Sequence, residues 1–136
     1  MSLSATPLLK YTLLTNAATS AITGLLCLVA NGFLTDLMGL ASTIYLYIVG
    51  AGLLVFAADV YFTATKSPIK PLFVKMIIGA DISWVVGSFL LTFLMPEYFT
   101  LTGIVLIEVI ALGVLGFAVL QSVGLKQTTQ NAEVMA

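Results

Sequence analysis

LTGIVLIEVIALGVLGFAVLQSVGL, residues 101–125, holds one charged side chain, Glu108, and no proline. A helix of that length rises about 37 Å at 1.5 Å per residue and outreaches a hydrocarbon core of roughly 30 Å. Backbone groups in lipid must bond within a helix or around a closed barrel. The run lacks the strict alternation of barrel strands, so a membrane-spanning helix is the expectation. Three further runs of the same kind precede it, at about 11–34, 40–64 and 72–95. The four prolines, Pro7, Pro68, Pro71 and Pro96, fall outside these runs. There, proline's missing N–H and its clash with the preceding turn mark breaks between helices.

The composition agrees. The chain of 136 residues is 60% apolar and only 8% charged, with net charge −1, and its mean hydropathy is +1.15. A soluble domain is about 25% charged, so too few polar groups are present to cover a water-facing surface. The expected fold is all-α: an integral membrane, four-helix, up-down transmembrane bundle over 11–125. A short N-terminal segment, 1–10, and a frayed polar tail, 126–136, flank it. The first run exceeds the roughly 7–15-residue core of a signal peptide and reads as a span.

The five lysines set the orientation. Lys10 precedes the first span, Lys66, Lys70 and Lys75 surround the second loop, and Lys126 follows the fourth. The other two loops carry Asp36 and Glu97 and no lysine. All cations thus fall on one side, which the positive-inside rule makes cytoplasmic. Both termini are expected inside, in a bacterial inner membrane. Tyr45, Tyr47, Tyr98 and Phe99 stand near the outer ends, where interfacial aromatics collect.

The residue inventory excludes much chemistry. There is no His, no Arg and a single Cys, Cys27. Intrachain disulfides, Cys/His zinc sites, His-ligated haem, His-based triads and arginine phosphate clamps are therefore out of reach. No glycine-rich phosphate loop or nucleophile–base pair is found, and five cations are too few for nucleic acid. The expectation is no enzyme, no metal and no cofactor.

The helix faces are more informative. Thr12, Asn16, Thr19, Ser20, Thr23, Cys27 and Asn31 recur at spacings of three and four and form one polar stripe on the first span. Such a stripe faces protein, either as an interhelical seam or as the wall of a filled passage. Gly79, Ser83 and Gly87 lie at i, i+4 and i+8 on the third span, a doubled small-xxx-small surface that permits close helix packing. Gly50 and Ala57, with Ala58, make a second small face, and Gly52, Asp59 and Thr63 lie roughly opposite. A short echo joins Gly52–Ala57 to Gly113–Ala118, a match that apolar helices also produce by chance.

Asp59, Asp81 and Glu108 are the intramembrane acids. A carboxylate at mid-membrane costs about 2.5–3.5 kcal/mol on insertion scales and is a functional candidate by default. No span interior holds a cation to neutralise them. Each is then neutral and hydrogen-bonded, or binds an imported cation, or pairs with another subunit. Asn16 lies six residues after Lys10, Asp81 six after Lys75 and Asp59 seven before Lys66. Helical rise puts all three about 9–10 Å above the lysines, so adjacent hairpins can gather Asn16, Asp59 and Asp81 into one cluster. Glu108, eight residues from Thr100, sits in another layer about 12 Å from the outer end. Small multidrug transporters also have four spans and a membrane glutamate, but theirs is in the first helix; Glu108 is in the fourth.

Three functions are compatible with these features. The first is an accessory or scaffold subunit of the bilayer, associating with itself or a larger membrane complex through its small faces. The alternative is a small proton- or cation-coupled carrier or channel using Asp59 and Asp81, with Glu108 as an outer relay. The third is a protein that binds a lipid or quinone headgroup at Asn16, Asp59 and Asp81.

Overall fold

A computed structural model describes residues 3–135 of the chain. Helix α1 runs Pro7–Val29, a short α2 covers Asn31–Met38, α3 is Ile44–Thr65 and α4 is Pro71–Leu94. A single 3-10 turn, Pro96–Tyr98, then leads into α5, Leu101–Met135. The four long helices are each long and apolar enough to cross a membrane. No strand occurs among the described residues. This is the all-α four-helix bundle expected from the hydrophobic runs.

Helix boundaries follow local chemistry. Pro7 and Pro71 each open a helix rather than stand outside it, because the first turn needs no N–H from them. Thr6 caps α1, its Oγ1 accepting from the Leu9 N–H. The first span is shorter than 11–34. Its helix ends at Val29 and the chain turns at Ala30 before α2. Asn31-Gly32 is a turn signal, and the Asn31 amide donates to the Thr43 carbonyl at 3.0 Å instead of facing lipid. At the other end of the chain, α5 does not stop near Leu125 but continues as helix to Met135. Thr128 explains the extension: it is 1% exposed, and its Oγ1 accepts from the Thr6 N–H at 3.1 Å.

Those bonds bring the two chain ends and the second loop together, with the Ile69 N–H donating to the Leu3 carbonyl. All five lysines lie in or near this end of the bundle, here termed the lysine end. Leu9, Leu13, Val60, Val74, Ile77 and Leu125 fill it with an apolar cluster drawn from all four long helices. The opposite end is tied by Thr100, whose N–H donates to the Met38 carbonyl and whose Oγ1 donates to that of Leu37.

Neighbour relations position the site. Helix α1 packs along α3 on one side and α5 on the other, and α4 packs on α5. By contrast α3 and α4, consecutive in sequence, hardly touch. The α1–α3 crossing is close, and a Cβ on Gly50 would stand 2.9 Å from the Gly24 carbonyl oxygen. Gly50 and Ala57 thus face α1 from inside the chain and are buried. The Gly79, Ser83 and Gly87 face of α4 has no such partner. All three residues are exposed, and a Cβ on either glycine would meet nothing within 4 Å.

Candidate functional site

Because α3 and α4 stay apart, a cavity of about 250 Å³ opens among the four long helices. Its walls include Asn16, Thr19, Ser20 and Thr23 from α1, Gly52 and Phe56 from α3, and Asp81 and Trp84 from α4. Ile110, Val114 and Phe117 close it from α5. A second hollow of about 450 Å³ follows the α3–α4 gap toward the lysine end, past Asp59, Thr63 and Lys66. The two share Phe56 and Ala80, so they form one groove with a largely apolar chamber at its inner end.

A hydrogen-bonded ring of polar side chains stands at one wall of the chamber. The Asn16 Nδ2 group donates to Asp81 Oδ2 at 2.9 Å and to Gln121 Oε1 at 2.9 Å. Gln121 Nε2 donates to the same Asp81 oxygen at 2.8 Å. Ser20 Oγ completes the set by donating to Asn16 Oδ1. Asn16, Asp81 and Gln121 are 1%, 3% and 0% exposed, so the ring lies within the protein. Buried polar groups persist when they are hydrogen-bonded, and this ring ties α1, α4 and α5 together. Its acceptor geometry is one-sided. Both amides aim at Oδ2, and among the described residues Asp81 Oδ1 receives no hydrogen bond. Asp81 lines the cavity, and its Oδ1 is the unengaged acceptor of the ring.

The structure therefore brings Asn16 and Asp81 into direct contact but leaves Asp59 elsewhere. Asp59 is exposed on α3 and lines the outer groove beside Lys66. Helical rise fixes depth and says nothing of azimuth, and the separation of α3 from α4 keeps the two aspartates on different walls. Gln121 takes the place that Asp59 was expected to fill. Lys126 follows it by five residues, so the same rise from the lysines, about 7–8 Å here, points to it. The polar stripe of α1 divides along its length. Thr12, Cys27 and, in α2, Asn31 are buried outside the cavity lining, while Asn16, Thr19, Ser20 and Thr23 line it.

Glu108 occupies the other layer, as the sequence placed it. Its Oε1 lies 2.7 Å from Thr92 Oγ1, joining α5 to α4, and its Oε2 is buried with no partner among the described residues. Ser88 and Thr92 otherwise bond back to their own helix, a habit that keeps hydroxyls satisfied within lipid. Among the described residues no group of three or more Cys, Asp or Glu is placed to hold a metal ion. No known family, no curated protein and no solved structure matches the chain.

Proposed function

We propose that the chain is a small membrane carrier that binds its cargo in the α1–α3–α4–α5 cavity and couples that binding to a proton or cation at Asp81. One observation carries the reading: Asp81, 3% exposed and lining the cavity, has one carboxylate oxygen held by two amides and the other without a hydrogen bond among the described residues. The ring fixes Oδ2 as the acceptor. A proton or a cargo cation then has one place to go, Oδ1, and the two compete there. Competition of that kind is the minimum that coupled exchange requires. The open side between α3 and α4 gives the cavity access from the bilayer. The lysine end faces the cytoplasm in this reading, and Asp59 stands on the path from that side. The chemistry is binding and release, without catalysis.

Liposomes containing the purified protein and a pH-sensitive dye test it. With a candidate cation supplied outside as exchange cargo, wild type is expected to dissipate an imposed pH gradient, and Asp81→Asn to slow this by about tenfold or more, an effect of the size that one essential group commands. Equal rates in both would remove the carrier reading.

A second reading, association within a larger membrane complex, is favoured by the exposed Gly79, Ser83 and Gly87 face with no intrachain neighbour. Close-packing surfaces of this type drive helix association in lipid. Wild type extracted into native nanodiscs is then expected to be oligomeric, and Gly87→Leu to be monomeric with unchanged helicity. A monomeric wild type removes this reading.

A further inference from the structure

The cavity's lining also restricts what it can hold. The cavity that Asp81 lines is also lined by three aromatic side chains, Phe56, Trp84 and Phe117, and by no basic one. An acid and aromatic side chains in one cavity without a basic group are the combination that recognises organic ammonium groups, since ring quadrupoles and the anion both favour positive charge. Hard metal ions want six or more oxygens, and the cavity offers one carboxylate and a few hydroxyls. A strongly hydrated ion would therefore lose more than it gains. A neutral lipid tail would fill the apolar wall but leave Asp81 Oδ1 without a partner, at the cost of a buried unsatisfied acceptor. We infer that the cavity binds a lipophilic organic cation, an alkyl- or arylammonium-type group on an apolar body, with the charge at Asp81 Oδ1 and the body among the three rings.

This rests on the cavity-binding reading above and sharpens it to a ligand class. Access runs through the α3–α4 gap, whose outer hollow carries Asp59. A cation arriving from the lysine end thus passes Asp59 and Lys66 at the groove before it meets Asp81 in the chamber.

Trp84, the only tryptophan of the chain, reports occupancy directly. The probe is N-butylpyridinium, a permanent cation that quenches indole fluorescence on contact, titrated into the full-length protein in phosphatidylcholine nanodiscs. Butylbenzene serves as the neutral competitor of similar shape. Wild type is expected to show saturable quenching that butylbenzene does not displace at equal concentration. Asp81→Asn keeps an oxygen to accept from Asn16 and Gln121 and replaces only the unbonded Oδ1 by an amide. It is expected to weaken binding by about tenfold or more. Gly52→Leu supplies a second check, because a Cβ there meets nothing within 4 Å and the larger side chain enters the cavity. It is expected to abolish saturable quenching while the bundle stays folded. Saturable quenching that butylbenzene competes away and Asp81→Asn leaves unchanged would overturn the cation assignment alone. Absence of saturable binding by either compound would overturn the cavity-binding reading with it.

Discussion

Asn16→Leu is expected to destabilise the bundle by about 2–3 kcal/mol, measured as reversible unfolding in bicelles. The Asn16 amide supplies two of the three bonds that close the ring with Asp81 and Gln121. Its loss leaves Asp81 Oδ2 with one donor and Gln121 Oε1 with none. A buried orphan costs about 1–3 kcal/mol in a dry interior, whereas interhelical hydrogen bonds in membranes average about 0.6 kcal/mol; the three affected groups, Asp81 Oδ2, Gln121 Oε1 and the Ser20 hydroxyl that donated to Asn16 Oδ1, fall between these limits. Gln121→Leu has a similar expected cost. The double variant is expected to lose about 1 kcal/mol less than the sum, because each single change orphans a group that the other removes. Strict additivity would show that the three side chains do not act as one unit.

Gly50→Leu is expected to cost about 3 kcal/mol, near the upper range for overpacking against rigid neighbours. A Cβ at this position would lie 2.9 Å from the Gly24 carbonyl oxygen and 3.0 Å from the Leu28 side chain. Backbone cannot swing aside as a side-chain tip can, so α1 and α3 must separate. Gly52, two residues along the same helix, meets nothing. Gly52→Leu is therefore expected to change stability by no more than about 0.5 kcal/mol. Equal losses at the two positions, followed by the same unfolding assay, would contradict the placement of α3 against α1.

These two glycines also mark what the sequence can and cannot convey. Span number and approximate position were legible because lipid imposes a length and excludes proline from helix interiors. The layer shared by Asn16 and Asp81 was legible because the lysines mark a plane and helical rise measures depth from it. Gln121 answered to the same arithmetic but carries no charge, so attention to acids passed over it. What depth cannot give is direction around the helix axis, and Asp59 fell on the outer groove for that reason. Neighbour choice was hidden too. Gly50 and Gly79 belong to equivalent small-residue patterns, yet Gly50 meets α1 and Gly79 meets nothing. A small face licenses close approach without naming the partner. The gap between α3 and α4, on which the cavity depends, arises from that choice. The helical extension past Leu125 was masked by composition, since polar residues such as Thr128 read as tail until Thr6 is brought against them.

The most direct test of the site is the reactivity of Asp81 toward a lipid-soluble carbodiimide, located by peptide mass spectrometry on the intact protein in nanodiscs. Such a reagent modifies carboxyls that it can reach from the bilayer. Asp81, 3% exposed but at the cavity wall, is expected to be labelled, and N-butylpyridinium or Gly52→Leu to protect it while Asp59 labelling continues. Labelling of Asp59 with Asp81 inert throughout would contradict it, making the ring with Asn16 and Gln121 a sealed structural lock.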